Sequence, residues 1–357
     1  MHRCVGLEDT PLTLESFGWN PHFARAFAAQ AEQGERAGRV VCFHGAECTL
    51  WTADGEVRAP LAGTLRKEGA ITPVTGDWVL IRESAPSIRG VLKRKTLLAR
   101  ADSFQGGKPQ PLAANIDTLL IVTGLDGDFS VRRIERFLVL AASSGIDPVI
   151  VLSKADLPAP DELAAAIAEA REAAPGVPVI PWSAMDGRDA GVIAGCVMAG
   201  QTAAVAGSSG AGKSTLINRL LGEEVLATAG VRESDSRGRH TTTRRELIAL
   251  PQGWIVADLP GLRAVGLWST DEAVSAVFGE VAEAARTCRY RDCTHTVEPG
   301  CALREAVESG ELGAARLAGF GKLRRENESV QQAKQRWAKA IARAMRSREK
   351  AGFDLKR

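Results

Sequence analysis

The run Gly207-Ser-Ser-Gly-Ala-Gly-Lys-Ser214 constrains this chain more than any other feature. It fits G-x-x-x-x-G-K-[ST], with an apolar run, Thr202–Ala206, before it and a helical pattern, Thr215–Leu221, after it. A strand feeding a glycine-rich turn and then a helix is a unit of a mostly parallel α/β sheet. Gly207, Gly210 and Gly212 let backbone N–H groups turn inward around phosphate oxygens. Ser208, Ser209, Ala211 and Thr215 complete the loop. Lys213 is expected to reach the β- and γ-phosphates of a nucleotide, and the Ser214 hydroxyl to bind Mg2+. A chance Gly/Ser turn has no reason to fall between a strand and a helix. The motif alone does not separate ATP from GTP, or hydrolysis from phosphoryl transfer.

Upstream, Val149–Leu152 reads as a strand running into Ser153-Lys154-Ala155-Asp156. A carboxylate at 156 can accept hydrogen bonds from guanine N1–H and the 2-amino group, which adenine cannot supply. Most such loops carry Asn where this chain has Ser153. Serine is shorter and lacks the amide, so one tethering contact is expected to be weaker. A further strand, Val177–Ile180, leads to Trp182-Ser183-Ala184, a segment whose backbone N–H suits guanine O6. Lys-x-Asp alone also describes an ordinary surface loop. Two loops, each ending a strand and in the right mutual order, make guanine the expected base.

Downstream, Trp254–Ala257 ends at Asp258-Leu-Pro-Gly261, a D-x-x-G pattern. Asp258 is expected to hold Mg2+, and the Gly261 N–H to meet the γ-phosphate. Between the two motifs lies Gly238-Arg-His240-Thr241-Thr242-Thr243, inside a polar stretch from Ala229 to Arg245. A loop there, with Thr242 assigned to the site, could close on Mg2+ and γ-phosphate. Leu262 stands where related enzymes place a water-orienting glutamine. His240 is the nearest replacement and joins Lys213 and Asp258 as a catalytic candidate; a phosphate-side or RNA-contacting histidine carries comparable weight. Arg239 is a weaker candidate for a charge stabiliser. The base-reading loops precede the phosphate loop, which reverses the familiar order. The motifs are rotated rather than missing, as a circular permutation would leave them.

The rest of the chain divides by texture. Residues 1–35 suggest a helical extension, with Phe17, Trp19, Phe23 and Phe27 packing on a neighbour. Residues 36–111 alternate short β-rich runs (Val40–Phe43, Thr49–Thr52, Trp78–Ile81) with Gly, Asp and Pro turns, as in a small antiparallel barrel. The end of that region, 102–111, looks like a linker. Residues 112–265 are the α/β domain, and 266–357 are helical. The charge is uneven. Residues 36–111 hold 12 Lys and Arg against 7 Asp and Glu, and residues 310–357 hold 13 against 5, although the whole chain is only +2. Basic flanks around an acidic middle suggest a polyanionic partner, RNA above all; solvated charge is the plainer reading of the first flank. No apolar run approaches about 18 residues, so no membrane span is expected, and the first 30 residues do not resemble a signal peptide.

Three of seven cysteines crowd into Cys288-x4-Cys293-x-His295-x5-Cys301. Three thiolates and an imidazole fit a closed, structural, tetrahedral Zn2+ site. Isolated buried thiols better describe Cys4, Cys42, Cys48 and Cys196. Near the C-terminus, Val330, Ala333, Trp337, Ile341 and Ala344 share one helical face, while Arg343, Arg346 and Arg348 help make the others basic.

The motif order, the Gly238–Thr243 segment, the Cys/Cys/His/Cys spacing and a barrel in front together resemble the ribosome-small-subunit-dependent GTPase A family, RsgA. The resemblance covers roughly residues 12 to 340. It implies an OB-fold barrel, a permuted P-loop GTPase domain and a small helical zinc domain. It implies GTP hydrolysis with Mg2+, stimulated by the small (30S) ribosomal subunit, in late maturation of that subunit through contacts with its 16S rRNA. A cytoplasmic monomer follows, with no membrane and no DNA partner. Alternatives are a permuted GTPase acting on another RNA or on the large subunit, a P-loop ATPase or kinase, and an RNA-binding scaffold with a weak nucleotide switch.

Overall fold

The computed structural model describes residues 13–66, 71–101, 109–185, 190–222, 226, 245–259 and 270–328. Two compact units divide them. One falls within Met1–Leu98, Pro111–Phe137 and Ser144–Ala264; the other within Ala99–Gln110, Leu138–Ser143 and Val265–Arg357.

After a short 3-10 turn, Glu15–Phe17, the first unit carries a helix, α1 (Pro21–Gln30), capped by the Asn20 side chain, which accepts from the His22 N–H at 2.9 Å. Five strands follow: β1 (Glu35–Phe43), β2 (Glu47–Thr52), β3 (Gly55–Pro60), β4 (Trp78–Arg82) and β5 (Ser87–Val91). β1 pairs antiparallel with β2 and β4, β2 with β3, and β4 with β5. A bridge between Leu61 and Ile88 joins the outer ends, giving the closed order β1-β2-β3-β5-β4. Alternating apolar residues fill it: Val40, Leu50, Val79, Ile81 and Ile88 are all buried. The expected small barrel is present. The aromatic extension packs on it, with Phe17 stacked 4.8 Å from Trp51 and Trp19 edge-on to Trp78 at 4.8 Å.

β6 (Leu97–Ala101) and β7 (Pro109–Ala114) form a two-stranded sheet. The stretch read as a linker therefore ends in a strand. Pro is tolerated at a strand's first residue and on an edge, where no N–H is required, so Pro109 can open β7.

The α/β part follows as β8 (Thr118–Gly124), α2 (Val131–Ser144), β9 (Asp147–Ser153), α3 (Pro160–Ala173), β10 (Val179–Trp182), α4 (Gly191–Ala194), β11 (Thr202–Ala206), α5 (Lys213–Leu221), β12 (Glu246–Ala249) and β13 (Ile255–Asp258). The strand order is β10-β9-β8-β11-β13-β12, parallel except for the β12–β13 hairpin. β8 is buried along its whole length, which explains its unbroken apolar run. Beyond β12 the sheet continues into β1, through the antiparallel pair Cys42 and Glu246.

The second unit carries α6 (Asp271–Val277), α7 (Gly279–Ala285), α8 (Ala302–Ser309) and a further helix over residues 314–328. Phe278, Leu303, Phe320 and Leu323 are buried there, and the Arg316 guanidinium lies 4.1 Å over the Phe278 ring. No helix among the described residues is long and apolar enough to cross a membrane.

One buried charge ties the first unit together. Arg39, on β1, is 1% exposed. Its guanidinium donates to the Phe17 carbonyl, to the Thr202 hydroxyl at 2.7 Å and to the Asn115 carbonyl at 3.3 Å. Burial pulls its pKa down to about 10, against the opposing pull of Asp117 and Asp77, so it remains charged at neutral pH. One side chain thus joins the N-terminal extension, the barrel and the strand that leads into the phosphate loop. Lysine cannot supply this fork of donors. Arg39→Lys and Arg39→Ala should each destabilise the full chain, read as a lower urea midpoint; the alanine variant leaves the buried Phe17 and Asn115 carbonyls without this donor, at a cost of about 1–3 kcal/mol. Equal midpoints for wild type and Arg39→Ala would show that the fork does not hold the unit together.

Candidate functional site

Parallel pairing brings the expected site residues to one edge. Register sets Gly124 and Trp182 on either side of Ser153, Ile121 beside Ala206, and Ala204 beside Ala257, one residue before Asp258. The phosphate loop, the base-reading loop, Ser183–Ala184 and Asp258 all leave from carboxyl ends. In open α/β sheets that is where ligands bind.

Gly207 opens the phosphate loop with φ 150°, and a Cβ there would lie 2.2 Å from the Val122 carbonyl oxygen. Only glycine fits. Ser209 and Gly210 are exposed, while Ala211 is buried against the core. Lys213, Ser214 and Thr215 occupy the first turn of α5. The Lys213 ammonium donates to the carbonyls of Ser208 and, at 3.0 Å, Gly207.

Ser153 is fully buried, and its hydroxyl hydrogen-bonds to the Ala211 carbonyl at 2.6 Å and the Thr123 carbonyl at 3.2 Å. The tether expected to be weak is a direct contact with the phosphate loop. Lys154 follows in the left-handed region, φ 58°, and forms an ion pair with Asp126. The Ala155 N–H donates to the Trp182 carbonyl at 3.1 Å. The Asp156 carboxylate accepts from the Ser183 hydroxyl, which also accepts from the Met185 N–H at 3.0 Å. The two loops expected to read one base are therefore joined to each other.

Sequence reasoning missed Asp126, Asp128 and Arg219. Arg219, on α5, donates to the Ala184 carbonyl at 2.7 Å. Asp128 accepts from the Ser208 hydroxyl and pairs with Arg133 at 2.8 Å. Burial raises its carboxyl, but the hydrogen bonds from Ser208 and Arg133 outweigh that and hold it below the ordinary value. The signal was available: Asp-Gly-Asp directly after a buried strand is a turn at a carboxyl edge. His240, Thr242 and Gly261, with Gly238–Thr243, Arg239, Leu262 and the basic face at 343–348, lie outside the described residues.

In the second unit Cys288, Cys293, His295 and Cys301 offer ligand atoms that all lie within 4.8 Å of one another. Cys288 Sγ is 3.5 Å from His295 Nδ1 and 4.0 Å from Cys301 Sγ, and Cys301 Sγ is 3.6 Å from His295 Nδ1. Tetrahedral bonds of about 2.3 Å to sulfur and about 2.0 Å to nitrogen would set edges of roughly 3.5–3.8 Å. The donor set fits a metal ion. Burial, then the Arg324 charge, lowers the His295 pKa against Glu298, which favours the neutral, ligating ring. The Cys293 thiol is pushed up to about 11 by burial and by Cys301 and Cys288 beside it; a dication among them is what favours thiolate. Cys48, deep in the barrel, is pushed up to about 12 by burial, in keeping with an inert thiol.

A sheet of this order, with these loops at its carboxyl edge and the phosphate loop in the middle of the sequence, defines a GTPase of circularly permuted motif order. The sequence model of the RsgA GTPase family matches residues 91–268. The chain is 44% identical over 355 residues to the small ribosomal subunit biogenesis GTPase RsgA of Opitutus terrae, covering 95% of each chain. It is 44% identical over 320 residues to the Streptomyces coelicolor protein of the same name, covering 89% of this chain and 87% of that one. The crystal structure of YjeQ from Thermotoga maritima superposes with a TM-score of 0.60 at 28% identity, covering 82% of this chain and 98% of that one. The chain belongs to the RsgA GTPase family and is a GTP hydrolase.

Ser153 generates a direct test. Ser153→Ala removes the one hydroxyl proton that the Ala211 and Thr123 carbonyls share, at a cost of about 1–3 kcal/mol. GDP affinity, measured calorimetrically, should fall because the base loop and phosphate loop lose their link. Unchanged affinity and stability together would show that the link does not matter.

Proposed function

We propose that this GTPase acts on the small ribosomal subunit during its late maturation, binding 16S rRNA through basic flanks. The carrying observation is the near full-length identity to relatives named for small ribosomal subunit biogenesis. The charge split supports it: phosphate attraction must come from the flanks, since the middle of the chain is acidic. The closed order β1-β2-β3-β5-β4 supports reading the barrel as an OB-fold, a common RNA-binding module.

Within the site, Asp156 reads guanine N1–H and the 2-amino group, and the Ala184 N–H meets O6. Lys154 and Ala155 shape that loop, with Ser183 holding Asp156. The loop Gly207–Thr215 cradles the phosphates, Lys213 neutralises the β- and γ-phosphates, and Ser214 and Asp258 hold Mg2+. Thr242 and Gly261 complete the γ-phosphate contacts, and His240 positions water where Leu262 cannot. Cys288, Cys293, His295 and Cys301 hold one structural Zn2+. The domains are 1–35, 36–111, 112–265 and 266–357, in a cytoplasmic monomer.

Free protein should turn over GTP slowly, near the roughly 10⁻⁴ to 10⁻² s⁻¹ of unassisted G proteins, and purified small subunits should accelerate it. Fast turnover that subunits leave unchanged would overturn this. Protein purified without chelators should carry one zinc equivalent by elemental analysis. Cys293→Ser should lose that zinc and the helical signal of the second unit while GDP binding survives.

A further inference from the structure

The turn after β8 carries two carboxylates that the nucleotide motifs do not use. Gly127, in the left-handed region at φ 87°, turns the chain between Asp126 and Asp128. Asp126 pairs with Lys154 of the base-reading loop. Asp128 touches the phosphate loop: its Oδ2 accepts from the Ser208 hydroxyl, while its Oδ1 accepts from Arg133 Nη1 at 2.8 Å. The same Arg133 nitrogen also donates to the Asp128 backbone carbonyl at 3.0 Å. The carboxylate is thus fixed from both sides.

We infer that Asp128 is a positioning residue for nucleotide binding, holding Ser208 so that the phosphate loop keeps its binding shape. This rests on the phosphate-loop reading above. Two anchors converge on one residue. Ser208 gives its hydroxyl to Asp128 and its carbonyl to the Lys213 ammonium. The bond that fixes Ser208 therefore fixes the surface against which Lys213 rests before it turns to the phosphates. A half-buried loop hydroxyl with no fixed partner can rotate; a charge-assisted bond to a held carboxylate gives it one orientation. Order established before binding need not be bought with binding energy. The negative charge would oppose incoming phosphates, and Arg133 offsets it. What the loop needs from Asp128 is the acceptor, not the charge.

That distinction separates positioning from an ordinary exposed ion pair, whose loss changes little. The test uses the full chain, with GDP and a non-hydrolysable GTP analogue titrated calorimetrically. Asp128→Ala should weaken both nucleotides about tenfold, and Asp128→Asn, which keeps an acceptor, should return affinity to within about threefold of wild type. Ser208→Ala should match Asp128→Ala, and the double variant should be no worse than either, the non-additivity of residues acting as one unit. Unchanged thermal midpoints keep the loss from being one of folding. Wild-type affinity in Asp128→Ala, or strictly additive losses, would overturn the inference. Asp156→Asn and Lys213→Ala separate the two failures: if they abolish binding while Asp128→Ala does not, only the positioning role falls. If they too bind normally, the phosphate-loop reading falls and takes this role with it.

Discussion

Parallel strand pairing is the constraint on which the site depends. Parallel neighbours cannot be joined by a hairpin, so each connection crosses a face of the sheet and returns. β8, β9, β11 and β13 therefore present all their carboxyl ends on one edge. Where the chain enters and leaves that circuit does not change which loops meet. This is why Ser153–Asp156 can precede Gly207 in sequence and still lie against it, with the Ser153 hydroxyl on the Ala211 carbonyl.

Among the described residues, the contacts that finish the site are polar and largely buried. Ser153 joins the loop after β9 to the loop after β11, Ser183 joins the loop after β10 to the loop after β9, and Arg39 joins the barrel to β11. Each replaces water for a group that would be costly to bury alone. Their geometry is demanding: a hydroxyl or a planar fork must arrive within about 3 Å of a fixed carbonyl. Such contacts add less to stability than the surrounding apolar core but leave the loops one arrangement.

Much of this was legible from residues alone. The phosphate loop, β11 and the metal cluster each rest on a local pattern whose physics acts within a few residues. Long-range pairing was not legible. Nothing in Ser153 announces that its short side chain would reach Ala211, because that distance is set by β8 and β11 lying side by side. Asp128 is legible as part of a turn, and Arg133 lies close by in sequence, but its contact with Ser208 joins residues far apart in the chain, and only the fold brings those two together. Composition makes 102–111 look like a linker, yet β7 begins at Pro109 and accommodates both Pro109 and Pro111.

The junction of β1 with β12 has a further consequence. A sheet that ends in an open strand offers unpaired N–H and C=O groups to any extended chain, and such edges recruit other molecules. Without β1, β12 would be that edge, directly beside the strand that carries Asp258. Pairing of Cys42 with Glu246 covers the start of it with a strand from the same chain. The barrel is thus also a guard against self-association. A fragment cut to contain only the α/β part would lose solubility before it lost its nucleotide loops.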